Sequence, residues 1–416
     1  MHFKQLIKNF FSLSLLQAVN YIVPLLLLPF IISKVGIGNY GIANYVVTVF
    51  VPLKILIDYG YNLSAIRDIA AAANNKAKVG DIISRLLFTK FFLLVVVFLC
   101  LLLCIWLIPL AKESATILLL SFTLVVGQSF LPMWYFQAIE KAGVMVVFSV
   151  ITRVLYIGLI FFLIQTPSDY IYLNFYLGIS DILLTVFAFG YIIFRDRIGL
   201  SFVNALTVKE ELRRNFSIAN VSVLTNLCLS FPLISLGIFS SKTVVGYYGV
   251  ADKILQVLRT SVVILYGSSF PRVMALYRES LTALSLFVRR LHLIILGVYI
   301  PVAIFCLVYP EIIVGMFVDE IPSSTVIIVR IFAFIPLIAA LDIIPSHFML
   351  ITNRNNLYAK MFLVSSIFSI IVSISLVYAF DFLGAAVSAL LVEVFILLLL
   401  VLANRKMLGN LLLTKN

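Results

Sequence analysis

The chain has 416 residues, 63% of them hydrophobic and only 12% charged, with a mean hydropathy of +1.16. So few charges cannot coat a water-soluble protein of this length, and the expected solvent is the bilayer. The net charge of +12 raises nucleic acid as a partner, but the bases collect in alternate loops, which reads as membrane topology and sets nucleic acid aside.

A membrane-spanning helix needs about 20 apolar residues with every backbone amide satisfied inside its own segment. About twelve stretches qualify, at 9–32, 41–60, 85–110, 115–139, 143–165, 170–194, 216–238, 246–270, 291–310, 324–350, 357–380 and 382–404. Runs such as Phe91 to Leu99 do not alternate in polarity, which excludes a transmembrane barrel. The first stretch is too long for a secretion signal and lacks a small-x-small cleavage site, so it reads as a retained helix. The fold class expected is an all-α integral membrane protein.

Two junctions are nearly the same, Val35-Gly36-Ile37-Gly38-Asn39-Tyr40-Gly41-Ile42-Ala43 and Val244-Val245-Gly246-Tyr247-Tyr248-Gly249-Val250-Ala251. Upstream, Phe11-Ser12-Leu13 matches Phe216-Ser217-Ile218. The chain therefore reads as one unit written twice, and six spans per unit make the repeat parallel. The charged interruption from Arg195 to Asn215 is the seam, giving a first six-helix lobe at 1–200, a cytoplasmic linker at 201–214 and a second lobe at 215–416.

With Lys4 and Lys8 inside, one set of loops carries Arg67, Lys76, Lys78, Arg85, Lys141, Arg195, Arg197, Lys209, Arg213, Arg214, Arg272, Arg278, Arg289, Arg290, Arg354, Lys360, Arg405, Lys406 and Lys415. The opposite loops carry Lys34, Lys112 and Lys242. Both termini are thereby expected in the cytoplasm. The basic loops at Arg67 to Arg85 and Arg272 to Arg290 are expected to form surface helices that contact anionic lipid.

Charge within a span costs at least about 2.5 kcal/mol and asks for a reason. Span two carries Asn44, Thr48, Lys54 and Asp58 within about 120° of one helical face. That stripe lines water, or else Lys54 and Asp58 close a local pair at i,i+4. Arg153 in span five and Asp181 in span six are candidates for a site or for a pair with each other. Span eight sets Asp252, Gln256 and Arg259 at i, i+4 and i+7 with Lys253 beside them, leaving one positive charge over.

Arg330 falls near the outer end of span ten, where it can snorkel to the interface. Asp342 and Glu393 are either ion sites or structural partners. Pro24 and Pro232 sit at comparable places in the two units, as hinge candidates or as tolerated membrane prolines. Pro52, Pro132, Pro271, Pro301, Pro336 and Pro345 also fall in or beside spans.

Enzyme chemistry finds no footing. There is no Gly-rich phosphate loop followed by Lys-Ser/Thr, and His2, His292 and His347 are scattered. Cys100, Cys104, Cys228 and Cys306 lie in apolar spans without metal spacing. No outward loop is long, which excludes a substantial extracellular domain; no cofactor is expected, and H+ or Na+ is the coupling ion expected if the carboxylates within the spans are ion sites.

Further residues carry a resemblance. Tyr40-Gly41, Asp58-Tyr59-Gly60-Tyr61 with Ser64-Ala65 and Arg67-Asp68-Ile69-Ala70, Met133 to Lys141, and Tyr248-Gly249-Val250-Ala251-Asp252-Lys253-Ile254 together resemble the polysaccharide-transport family of O-antigen flippases. The resemblance spans the whole chain. It implies a monomer in the bacterial inner membrane, of the superfamily (MOP) that also holds the multidrug and toxin extruders (MATE) and the lipid II flippase. It implies two six-helix lobes around a V-shaped cavity moving by alternating access, and membrane lipids with an undecaprenyl-diphosphate-linked oligosaccharide as ligands.

A polysaccharide polymerase and a chain-length regulator are implied as partners. The cationic positions of the second and eighth helices fall on Lys54 and on Lys253 or Arg259, whereas the first helix offers Gln17 and Asn20 in place of the arginines of some relatives. The expected substrate-binding set is Lys54, Lys253, Arg259, Arg153, Arg330 and Asn44, and the expected ion-coupling set is Asp58, Asp181, Asp252 and Glu393. A cation-coupled multidrug antiporter and, less well supported, a membrane glycan polymerase are the rival readings. A scaffold for polysaccharide assembly that transports nothing is a further one.

Overall fold

The structure is a computed structural model, and it describes residues 2–72, 75–318, 322–352, 354–405 and 407–409, with side chains from 15 onward apart from 62, 63, 110, 217, 268 and 271. The side chains of Lys4, Lys8, Phe11 to Leu13, Ser217 and Pro271, and the residues Lys406 and Lys415, lie outside the described set. The described residues are helical almost throughout and form no strand. They divide into two compact units, 1–226 and 227–416. The division falls inside a helix, after the charged interruption has ended.

In the first unit, α1 (His2–Val35) and α2 (Ile37–Asp58) meet at Gly36, whose φ of 80° allows the break. Then come α3 (Tyr61–Ala71), α4 (Lys76–Leu107), α5 (Pro109–Glu113), α6 (Ala115–Phe130), α7 (Met133–Ala138), α8 (Ala142–Leu163) and α9 (Leu173–Gly190). Asn75 caps α4 by accepting from the Lys78 amide at 3.0 Å. Pro132 separates α6 from α7, as its missing donor requires. A 3-10 turn (Pro167–Tyr172) leads into α9 and a π turn (Tyr191–Arg195) ends it.

Helices α6 and α9 pack most intimately. A side chain at Gly127 would meet the α9 backbone at 2.8 Å, and one at Gly178 would meet the α6 backbone at 2.6 Å. Without a hydrophobic drive in lipid, such small residues are what let two helices approach. Between α2 and α3, Tyr59 and Gly60 both take left-handed conformations, and a side chain on Gly60 would strike Ile218 at 2.7 Å. The Asp58-Tyr59-Gly60-Tyr61 motif is thus a tight corner against Ile218 of α10 (Ala205–Phe239). Below that corner lies a core of Tyr61, Ile69, Ile83, Trp134, Phe136 and Met145.

The second unit takes up the rest of α10 and adds α11 (Lys242–Glu279), α12 (Leu281–Val308), α13 (Pro310–Gly315), α14 (Ser323–Phe332), α15 (Ile335–Leu341), α16 (Ile343–Ile351) and α17 (Asn355–Ala403). Pro336 and Pro345 fall in the opening turns of α15 and α16 and divide one apolar stretch into three helices. The second core gathers Val273, Leu284, Ile295, Ile344 and Phe348.

Among the described residues, ten helices are long and apolar enough to cross a membrane, two fewer than the hydropathy expectation. One difference is α11, whose Asp252, Lys253, Gln256 and Arg259 dilute its apolar content. The other is α17, helical throughout except at Asp381, where φ is 53° and ψ is −125°. Beyond Asp381 the chain doubles back, because Ser373 and Ser388 come within 3.3 Å. In the second unit no separate surface helix forms between Arg272 and Arg290, since α11 continues to Glu279 and Ser280 caps α12 at once. Pro24, Pro52, Pro232 and Pro301 are accommodated inside helices.

Candidate functional site

The polar residues of the spans gather into one network per unit. In the first, Lys54 donates from Nζ to Oε1 of Gln128 at 3.1 Å, and Gln128 donates from Nε2 to Oδ2 of Asp181 at 2.8 Å. Arg153 donates from Nη2 to Oδ1 of Asp181 at 2.8 Å and from Nε to Oδ1 of Asn20 at 3.2 Å. Ser149 also donates to Asn20, at 3.1 Å. The glycine packing of α6 on α9 holds Gln128 within reach of Asp181. Arg153 and Asp181 are both buried, so the two charges neutralise one another out of water.

The local Lys54–Asp58 pair does not form. Asp58 instead accepts from Nζ of Lys90 at 2.7 Å, and Lys90, fully buried, also donates to the Ser129 carbonyl at 2.5 Å. Sequence reasoning passed over Lys90, although it lies within span three. Its signal was the absence of an acid one turn away on the same helix, where Leu86 and Leu94 stand, so its partner had to come from elsewhere. With Asp58 taken by Lys90, the printed partner of Lys54 is the neutral Gln128. The span charges of this unit are then Lys54, Lys90 and Arg153 against Asp58 and Asp181, an excess of one positive charge.

A cavity of about 40 Å³ beside Lys54 and Gln128, walled by Val47, Phe50, Leu124 and Leu177, has room for ordered water. The remainder of the α2 stripe turns inward. Asn44 and Thr48 are buried, Thr48 donates to the Asn44 carbonyl at 3.0 Å, and the Asn44 side-chain amide has no partner among the described residues.

In the second unit Arg259 donates from Nη2 to Oε1 of buried Glu393, bridging α11 and the second arm of α17. This engages the base that span eight, counted alone, left over. Gln256 donates to Asp252 at 2.6 Å, one turn apart. Lys253 is half-buried beside Asp252, with no direct hydrogen bond among the described residues. Arg330 pairs with Glu311 at 3.1 Å with both about half exposed, so it stands apart from the others. Asp342 stands at the junction of α15 and α16 without capping it, and its Oδ1 is buried with no hydrogen-bond partner among the described residues. Buried His347 meets the Ser269 hydroxyl at 2.9 Å between the rings of Tyr266 and Phe270.

Among the described residues no three His, Cys, Asp or Glu side chains cluster to hold a metal ion. What the networks can do is hold unsatisfied charge in a low-dielectric setting, where bases attract phosphate oxyanions and carboxylates exchange a partner for a proton or cation.

A family model described as "Polysaccharide biosynthesis protein" matches residues 6–277. A protein of Escherichia coli (strain K12) named "Putative O-antigen transporter" is 27% identical over 300 residues, covering 70% of this chain and 72% of that one. One of Shigella dysenteriae with the same name is 26% identical over 274 residues, covering 64% and 67%. Among solved structures, an inward-facing multidrug resistance transporter of the MATE family and MOP superfamily aligns with a TM-score of 0.72 at 13% identity, over 97% of this chain and 100% of that one. A MOP-superfamily transporter of Pyrococcus furiosus, titled for the reverse polarity of its binding pocket, aligns at 0.67 and 15%, over 99% and 97%.

Proposed function

The chain belongs to the polysaccharide biosynthesis protein family, and from that premise we propose that it is a flippase for a lipid-linked oligosaccharide. The cargo is an undecaprenyl-diphosphate-linked repeat unit of O-antigen type, moved from the cytoplasmic to the periplasmic leaflet of a bacterial inner membrane by alternating access. A diphosphate cannot cross about 30 Å of hydrocarbon without compensating charge. The observation that carries the reading is Lys54, a base in a membrane span whose acid neighbour is claimed by Lys90 and whose hydrogen-bond acceptor is an uncharged amide.

Lys54 and Lys253 are the primary diphosphate contacts, with Arg259 joining when Glu393 releases it. Arg153, Arg330 and Asn44 are secondary contacts. Lysine suits cargo that must be let go, because a point charge grips phosphate less firmly than an arginine fork. Coupling to H+ or Na+ runs through the carboxylates that hold the arginines: a proton or cation on Glu393 or Asp181 frees Arg259 or Arg153, with Asp58 and Asp252 as further candidates. Both termini lie in the cytoplasm, and a polymerase and chain-length regulator act on the delivered unit.

The test is export of surface polysaccharide in a flippase-null strain complemented with the intact gene, Lys54→Ala, Lys253→Ala or Arg259→Ala at matched membrane levels. Restoration by the intact protein and loss in the variants is the expected outcome. Normal export from the triple alanine variant would overturn the site. Resistance to organic cations without export in strains of several repeat-unit types would move the reading to an antiporter.

A further inference from the structure

Where α6 and α9 close on each other through their glycines, α4 stands off and leaves a trough of about 630 Å³ on the first unit. Leu87, Phe91 and Leu94 of α4 form one wall, Val186 and Ile193 of α9 and its π turn form the other, and Gly127, without a side chain, forms the floor. The one hydroxyl on its walls, of Thr185, is spent inside the protein on the Gly127 carbonyl at 2.9 Å. Nothing lining the trough offers a hydrogen bond to an occupant, which limits that occupant to hydrocarbon.

The trough has a defined length and a charged end. From Ile182 to Ile193 it follows α9 for about 16 Å at 1.5 Å per residue, close to half of a hydrocarbon core of about 30 Å. At the Ile193 end the loop after α9 is fastened to α4: the Ser201 amide donates to Ser84 at 2.9 Å, and a side chain on Gly80 would meet the Gly199 carbonyl at 2.1 Å. That loop brings Leu200 to the trough, and exposed Arg195, closing the π turn, and exposed Arg197 lie in the chain between the trough residues Ile193 and Leu200. Arg195 stacks on Tyr191 at 5.6 Å. The acid between them, Asp196, is already engaged by the Tyr135 hydroxyl at 2.7 Å and by Lys141 at 3.6 Å. Phe194 and Phe202, 83% and 88% exposed, flank the arginines with apolar surface.

We infer that this trough binds one acyl chain of an anionic phospholipid drawn from the surrounding bilayer, its phosphate headgroup held at the end bearing Arg195 and Arg197. Hydrocarbon walls the length of one leaflet and two bases at a single end match a lipid with one negative head, whereas a zwitterionic head gains little from the arginines. The site is independent of the cargo reading, because it lies on α4, α6 and α9 and shares no residue with the Lys54 network.

The test uses the full-length protein, stripped of lipid in neutral detergent and offered phosphatidylglycerol, phosphatidylethanolamine or undecaprenyl phosphate, with retention read by native mass spectrometry. Phosphatidylglycerol is expected to be retained at roughly tenfold lower concentration than phosphatidylethanolamine, since each base near a headgroup favours the anionic lipid. Arg195→Ala with Arg197→Ala is expected to abolish that preference, and Val186→Trp, which fills the trough, to abolish retention. A second readout covers failure of the filled variant to fold: Phe91→Trp sets a fluorophore in the trough, and brominated phosphatidylglycerol should quench it at a lower lipid fraction than brominated phosphatidylethanolamine. Equal retention or quenching by the two phospholipids overturns the proposal. So does displacement of phosphatidylglycerol by undecaprenyl phosphate, which would assign the trough to a prenyl tail.

Discussion

Helices α2 and α11 begin with the same motif and end with different chemistry. Aligned on Tyr40 and Tyr248, Asn44 matches Asp252 and Thr48 matches Gln256, and the tyrosines and the following Ala43 and Ala251 are all buried. The bases then diverge, because Arg259 aligns with Val51, three residues and about 4.5 Å before the level of Lys54. In the first unit the polar groups form a chain through five helices that ends on an uncharged amide. In the second they form a direct ion pair and a one-turn contact. A repeated helix thus keeps its packing end and varies the end that carries charge, so the two units hold a surplus base in one and a guarded base in the other.

The strongest way to break this comparison is at Lys90. Lys90→Met removes the fully buried ammonium that meets half-buried Asp58, and loss of one partner of a buried pair costs about 3–5 kcal/mol. The expected result is a large fall in melting temperature in detergent, partly recovered when Asp58→Asn is added. A full-length protein unaffected by Lys90→Met would remove the reason for treating Lys54 as free.

Arg153→Met should be nearly as costly, since Asp181 loses its guanidinium, and Asp181→Asn should rescue stability without restoring export. Lys54→Ala separates site from scaffold. It removes one hydrogen bond to a neutral acceptor, so stability should change by about 1 kcal/mol while export is lost. In the second unit, Glu393→Gln should release Arg259 and change export more than folding, which sharpens the contrast between a guarded and an unguarded base.

The smallest effect belongs to Glu211, outside the spans, where burial pushes the carboxyl above its usual value despite Arg214 at 3.0 Å. A raised acid contributes stability that is complete below its unfolded pKa and is lost as pH rises through the folded value. Glu211→Gln should therefore melt closer to the parent at pH 4 than at pH 8, with the variant favoured at the higher pH. The reverse trend would mean that Arg214 governs the group.

Much of this organisation was legible beforehand because it rests on additive quantities. Mean hydropathy and run length located the helices, and the cost of charge in lipid flagged Lys54, Arg153, Asp181, Arg259 and Glu393 one residue at a time. The prolines that divide 323–351 and the glycine corner at Gly60 were visible as types, though not as consequences, since only Ile218 lying 2.7 Å from the missing side chain shows why the corner is small. Pairing was the part that could not be read. Lys54 and Asp58 are four residues apart and satisfy every local rule for a salt bridge, yet Lys90 wins Asp58 because it is fully buried and has no alternative acid, whereas Lys54 keeps a cavity and an amide.

By itself the sequence determined that this is a helical membrane chain, where its apolar stretches lie, that one Tyr-Gly junction is written twice, and which side chains are too polar for lipid to tolerate alone. Those follow from the cost of moving each residue from water into hydrocarbon, which depends on composition and spacing. Tertiary structure decided which base meets which acid, that Gln128 joins Lys54 to Asp181, and that α4 stands off from α6 and α9 to leave a trough. These depend on helix approach, set by where small residues let backbones touch, and no periodicity within a single helix encodes the identity of its neighbour.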